Sequence, residues 1–231
     1  PYTQKLIAAT RPKPQQHDSR GDIPILEAHG INLIYRSSFL SKRKVLRAVK
    51  NVSLRLDRGK TVAVVGESGS GKSSLAKALL RLEDIESGSI TFKGTEISDL
   101  KGASLREMRR SFQVVLQDSF SALNPRQTIL SAVSEGPIMH GVSVKDAQKQ
   151  ATDMIKLVGL SDQAVERYPE EFSGGQRQRI CIARALVLTP DLLIADEAVS
   201  ALDVSIQAQI LDLFADMQKR FGFAMLFITH D

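Results

Sequence analysis

Residues 61–73 read TVAVVGESGSGKS. The apolar run TVAVV has the length and β-branched content of a short buried strand, and it stops at Gly66. From Ser73 to Leu82 the apolar residues Leu75, Leu79, Leu80 and Leu82 recur at helical spacing. Between strand and helix, Gly66 to Ser73 fits G-x-x-x-x-G-K-[ST]. Glycines let a backbone turn tightly and aim successive N–H groups at one anion. The helix that follows adds its positive N-terminal end. The stretch therefore predicts a strand, a phosphate-cradling loop and a helix.

Gly66, Ser68, Gly69, Ser70, Gly71 and Ser74 form the expected cradle, with the N–H groups from Gly69 to Ser74 meeting phosphate oxygens. Glu67 and Ser68 read as loop filler rather than catalytic groups. Lys72 can reach the β- and γ-phosphates, and the Ser73 hydroxyl can ligate Mg²⁺. A plain Gly/Ser-rich turn is the bland reading, and the strand before and helix after argue against it.

Working outward, ILEAHGINLIY (25–35) and VLRAVKNVSLRL (45–56) alternate as strands, and Asp57–Lys60 is a turn. Ordered structure is expected from about Ile23. SGSITFKG gives a strand and a turn, SLREMRR (104–110) a short helix, and FQVVLQ a buried strand. Residues 118–170 change character, with two helix patterns around 128–139 and 144–158 and no obvious strand. A helix over 174–188, a strand LLIA, an amphipathic helix over 204–220 and a last strand FAMLFIT complete the pattern. Strands alternating with helices predict an α/β fold with a mostly parallel sheet, and 118–170 reads as a helical insertion.

Composition is that of an ordinary globular domain, 42% hydrophobic and 25% charged in 231 residues. No run approaches the roughly 18–20 apolar residues that cross a bilayer. The single cysteine, Cys181, excludes an internal disulfide or a Cys-rich metal site in this chain, and a reducing cytosolic setting fits. Net charge is +5. The basic residues are spread along the chain, densest at Lys42, Arg43, Lys44 and Arg47, and the absence of Trp leaves few platforms for stacking bases. No nucleic-acid partner is expected.

Asp196 and Glu197 follow the strand LLIA. In open α/β sheets, ligands lie at the carboxyl ends of strands. One carboxylate there can hold Mg²⁺, and the next can orient or deprotonate an attacking water. The pair could equally be a helix cap and a first-turn acid. The phosphate loop favours the first reading.

Between these motifs stands FSGGQRQR (172–179). It resembles the signature motif of ATP-binding-cassette ATPases. Other pieces match in order. Gln117 stands as in the Q-loop, Ser200-Ala201-Leu202-Asp203 resembles the D-loop, and His230 the switch histidine. Tyr35 precedes the phosphate loop at the distance of the adenine-stacking aromatic. The resemblance covers about residues 23–231 and implies a P-loop NTPase (RecA-like) core with an antiparallel β subdomain. Ser173, Gly174, Gly175 and Gln176 would grip ATP bound to a second cassette, because two such domains pack head to tail in this family. The resemblance further implies that Ser73, Gln117 and Asp196 surround Mg²⁺. It makes Glu197, His230 and Gln117 the catalytic set, and Asp203 a bridge to the opposing domain.

The stretch from Gln117 to Arg126 resembles the oligopeptide, dipeptide and nickel importer ATPases. That subfamily implies an ATP-hydrolysing subunit at the cytoplasmic face of a bacterial inner membrane. Its partners would be two membrane-spanning permease subunits and, indirectly, a solute-binding protein. One departure is that Ala198-Val199 stand where the family usually has Pro-Thr, as a nickel-type relative also tolerates. Ala195 is small for its strand, which predicts looser packing.

A translation-factor type ATPase acting on ribosomes is the competing class, and the stretch around Asn124-Pro125-Arg126 argues against it. Coiled-coil repair types carry long heptad insertions. Here about 100 residues separate Lys72 from Ser173, and Gly136-Pro137 and Gly159 interrupt them. A binding module without catalysis is the third class. Residues 1–10 resemble the end of a preceding ATPase domain, 11–22 read as a linker, and the cassette from 23 stops at Asp231 before the family's last elements. This predicts the second domain of a fused two-ATPase protein.

Overall fold

The computed structural model describes residues 24–37 and 44–230. The readings made of residues 1–22 and of Lys42 and Arg43 lie outside the described residues.

β1 (Pro24–Ser37) and β2 (Lys44–Asp57) form a long antiparallel pair, with Tyr35 opposite Leu46 and Leu26 opposite Leu56. β3 is Thr61–Val65. β4 (Ser87–Phe92) pairs with the other side of β1 and carries the two-residue β5 (Thr95–Glu96), so this antiparallel sheet runs β2-β1-β4-β5. β6 (Phe112–Leu116), β7 (Leu192–Asp196) and β8 (Ala224–Thr229) join β3 in a second sheet. It is parallel throughout, in the order β3-β8-β7-β6. The helices are α1 (Lys72–Leu79), α2 (Gly102–Arg110), α3 (Ile129–Met139), α4 (Val144–Leu157), α5 (Gly174–Leu186) and α6 (Val204–Phe221). Two 3₁₀ turns, Asp162–Glu166 and Pro169–Glu171, lie between α4 and α5. Among the described residues, no helix is long and apolar enough to cross a membrane.

Strand alternation splits the core into two layers. Leu192 and Ile194 of β7 face the antiparallel sheet and α1. Leu193 and Ala195 face α5, α6 and the helices of the 118–170 stretch. Phe92 and Phe112 close the first layer edge to face, with ring centroids 4.3 Å apart.

Several expectations change. TVAVV is not fully buried: it is an edge strand, and Thr61, Ala63 and Val65 are exposed while Val62 and Val64 pack inward. The helix expected to reach Leu82 ends at Leu79. Arg81 takes a left-handed conformation (φ 53°), donating its N–H to the Ala78 carbonyl, and Leu82 N–H bonds the Lys77 carbonyl. This is the double hydrogen bond that closes a helix end, usually with glycine in the left-handed place. Arg81 holds it because its buried guanidinium donates to the Ile97 carbonyl at 3.1 Å.

The helix expected around 128–139 is present as α3, with Gly136-Pro137 near its end, where Gly136 admits Leu188 at close range. Ala195 is small within a sheet core of larger side chains. It is fully buried, and its register partner on β8 is the large Phe227, which meets Phe214.

Candidate functional site

Register builds the site. Val65 pairs with Thr229, Ile228 with Asp196, and Asp196 with Leu116. The next residue on each strand is therefore Gly66, His230, Glu197 or Gln117, and these line a staggered row, Gly66 and His230 one residue ahead of Glu197 and Gln117, at the carboxyl end of the parallel sheet. The Glu197 N–H extends the ladder by one bond, to the Ile228 carbonyl at 2.9 Å.

The phosphate loop is shaped by positive φ at Gly69 (79°) and Gly71 (97°). Gly71 has a second constraint, since a Cβ there would lie 2.1 Å from the Ala48 carbonyl oxygen. The loop thus rests on β2. Tyr35 lies on the paired strand, opposite Leu46, two residues along from Ala48. Register brings this aromatic to the loop's side of the molecule.

Lys72 is buried and its ammonium donates to the Gly66 carbonyl (2.6 Å) and the Glu67 carbonyl (2.8 Å). The same Nζ lies 3.8 Å from Glu197 Oε1. His230 Nδ1 lies 3.3 Å from Glu197 Oε2. Glu197 itself is left-handed (φ 51°), a conformation that costs a non-glycine residue about 1–2 kcal/mol. Its carbonyl accepts from the N–H and the Oγ of Ser200, which hold the turn. Backbone strain of this kind, over-determined by its surroundings, is a mark of functional positions.

Ser73 Oγ donates to Asp196 Oδ1 at 3.1 Å. Burial holds the Asp196 carboxyl above its usual range, the Ser73 hydrogen bond opposes this, and the neighbouring Glu197 charge adds to it. A partly desolvated carboxylate beside a hydroxyl is an oxygen-only pair that suits a hard divalent cation. Among the described residues, no group of three His, Cys, Asp or Glu side chains could hold a metal. Gln117 stands in the row, but its exposed side chain has no hydrogen bond to Ser73 or Asp196 among the described residues.

Ser173 caps α5. Its Oγ accepts from the Gln176 N–H (3.4 Å), and the Gln176 Oε1 accepts from the Ser173 N–H (3.0 Å), a reciprocal capping box. Gly174 lies against Leu202, and a Cβ on Gly175 would meet Ile206 Cγ2 at 2.6 Å. The signature glycines are thus packed on the start of α6, which Asp203 precedes. The Asp203 side chain makes no cap to its own helix and stays exposed. Sequence reading missed Ile206 and Ala48. Neither carries a local signal, because each acts through close approach from another element. No hydrogen bond or ion pair among the described residues links Ser173–Gln176 to Gly66–Ser74.

The ABC transporter family model matches residues 49–200. The chain belongs to the ABC transporter family. Its fold is that of the P-loop NTPases.

The cassette is 47% identical over 212 residues to the glutathione import ATP-binding protein GsiA of Pectobacterium atrosepticum, covering 90% of this chain and 34% of that protein. It is 51% identical over 195 residues to a probable peptide ABC transporter ATP-binding protein, y4tS, of Sinorhizobium fredii, covering 84% of this chain and 55% of that protein. The chain thus spans about a third of one relative's length and about half of the other's. Among solved structures, the dimeric bacterial ABC transporter cassette MJ0796 superposes with a TM-score of 0.78 at 28% identity, covering 89% of this chain and 88% of that one. A further MJ0796 structure is a post-hydrolysis dimer bound to ADP and Pi, with the same TM-score and coverage.

Proposed function

We propose that the cassette binds ATP with Mg²⁺, hydrolyses it when paired with a second cassette, and drives import of peptides or related small solutes. The observation that carries this is the row of Gly66, His230, Glu197 and Gln117 at one end of the parallel sheet, with the signature motif standing apart from it. The described residues hold one phosphate cradle and one signature, with no hydrogen bond or ion pair joining them. The signature that completes the site then comes from a partner cassette, which we place in the same polypeptide. The greater length of the relatives supports that placement.

The chemistry follows from the charges. Lys72 and the loop N–H groups neutralise the phosphates, and Tyr35 stacks the adenine. Ser73 and Asp196, with Gln117 drawn in, would hold Mg²⁺, which when bound supplies charge neutralisation at the phosphate oxygens. Glu197 Oε2 takes a proton from the water that attacks the γ-phosphorus, as the bond to the bridging oxygen breaks. His230, already 3.3 Å from that carboxylate, orients the water and the phosphate. Much of the rate then comes from positioning and preorganised charge.

Residues 118–170 form the surface that meets the permease subunits in this reading. Phe120, Met139 and Val144 are exposed there, an apolar content that suits a partner. Gln117 stands at the root of the stretch. The names of the relatives favour peptide or glutathione cargo over nickel. The place of action is then the cytoplasmic face of the inner membrane, with a solute-binding protein acting upstream.

The deciding experiment is Glu197→Gln in the assembled transporter. ATP binding should persist while turnover falls close to zero, and turnover at the wild-type rate would refute the assignment. For the docking surface, cross-links from residues 119–130 to a permease subunit are expected. Their absence in every nucleotide state would refute it.

A further inference from the structure

A second cavity lies at the opposite end of the parallel sheet from the phosphate loop, where three helices hand over to strands. α2 ends at Arg110 just before β6, and α6 ends at Phe221 just before β8. The chain leaving α5 passes through Val187 to Thr189 before β7. Thr189 is left-handed (φ 48°), and its N–H donates to the Leu186 carbonyl at 2.8 Å, which turns the chain sharply. α4 supplies the facing wall. Its lining residues Gln150, Asp153, Met154 and Leu157 have the i, i+3, i+4 and i+7 spacing of one helix face. The enclosed cavity is about 320 Å³. Small-ligand pockets run from roughly 300 to 1,000 Å³.

The floor is apolar. Met154 and Val187 are buried there, and Leu157 and Phe221 are half-buried. The rim is charged, and it carries both signs. Asp153 stands on α4, Arg110 at the end of α2 and Arg220 in the last turn of α6, all three exposed. Among the described residues, no ion pair or hydrogen bond engages any of these three side chains. The Arg220 guanidinium lies only over the Phe221 ring, 5.9 Å from its centroid. On the same face of the molecule Lys156 of α4 does find a partner, Asp162 at 3.0 Å. The cavity thus holds a carboxylate on one wall and two guanidiniums on the others, with its own width keeping them apart.

We propose that this cavity binds a small zwitterion with an apolar side chain, an amino acid or dipeptide whose two termini are free. Its carboxylate meets Arg110 and Arg220, whose planar forks suit that group. Its ammonium meets Asp153, and its side chain covers Met154, Leu157 and Val187. A plain anion would leave Asp153 unmatched, and a purely apolar molecule would leave all three charges unmatched. The site is separate from the row that faces nucleotide. It stands whether or not the cassette pairs with another or drives import.

The test is calorimetric titration of the full-length protein, without nucleotide, using leucine and the dipeptide Leu-Leu as probes. Saturable binding of at least one is expected, and the tighter of the two identifies amino acid or dipeptide as the ligand. Acetylating the amine or amidating the carboxylate of that probe should weaken binding about tenfold or more, since each change strands a charge on the rim. Asp153→Asn, and Arg110→Gln with Arg220→Gln, should cost as much while ATP affinity stays unchanged. No saturable binding of either probe overturns the site. Blocked probes that bind as tightly as the free one overturn the zwitterion assignment. Binding that ignores all three substitutions puts the ligand elsewhere and overturns the site as well. The blocked probes act on the unaltered protein, so they decide the matter even where a substituted protein fails to fold.

Discussion

His230 Nδ1 lies 3.3 Å from Glu197 Oε2, each side chain standing one residue beyond the end of neighbouring parallel strands. The other oxygen of the same carboxylate faces Lys72 at 3.8 Å. The carboxylate is thus set between an ammonium and an imidazole. Replacing His230 by Ala should lower ATP turnover by about a hundredfold or more while changing ATP affinity far less. Steady-state hydrolysis and nucleotide binding on the assembled protein measure both, and equal losses in the two would assign His230 to binding instead.

Asp196 predicts a pH effect with a definite sign. Its carboxyl is held above the usual range mainly by burial, so the folded protein binds that proton more tightly than the unfolded chain. At neutral pH the ionised group therefore costs stability. Asp196→Asn keeps the acceptor for Ser73 and removes that cost, so the ligand-free variant should melt above the wild type at pH 7. The gap should narrow as pH falls through the raised value toward the ordinary carboxylate range. Mg²⁺-dependent hydrolysis should disappear in the same variant. A thermal melt series against pH, showing a gap that widens on acidification, would refute the assignment.

Gly175 is constrained by packing before it is constrained by chemistry. A methyl there would sit 2.6 Å from Ile206 Cγ2, on a branched carbon that cannot swing clear. Gly175→Ala should cost about 1–3 kcal/mol in denaturant unfolding, and adding Ile206→Ala should recover part of it. If stability returns and hydrolysis does not, the glycine is also needed for close approach to nucleotide.

Arg81 closes α1 with a backbone conformation that glycine usually supplies. Arg81→Ala removes the donor to the buried Ile97 carbonyl and should destabilise the protein by about 1.5–3 kcal/mol. The exposed Asp84 partner adds little, so Asp84→Ala should be close to neutral by the same urea titration.

The phosphate loop was legible because its strand, glycines and helix lie in one contiguous stretch, each with a local signal. Asp196-Glu197, the FSGGQ stretch and His230 are legible as residues. Their assembly is not, because it depends on the strand order β3-β8-β7-β6, which no local pattern encodes. The same holds for Ala48 under Gly71, which is placed by register shifts along the β1–β2 pair. The end of α1 was misread for a related reason. Leu80 and Leu82 continue the helical spacing, yet Arg81 leaves the helix because Ile97, far away in sequence, offers its guanidinium a partner. Gln117 lies beside Glu197 by strand register, and its side chain makes no hydrogen bond to Ser73 or Asp196 among the described residues.

The reciprocal bonds between Ser173 and Gln176 carry a last consequence. They occupy the Ser173 and Gln176 N–H groups and hold the first turn of α5 in shape, while no hydrogen bond among the described residues uses the Gly174 and Gly175 N–H groups. The cap stiffens the turn without consuming the two glycine donors.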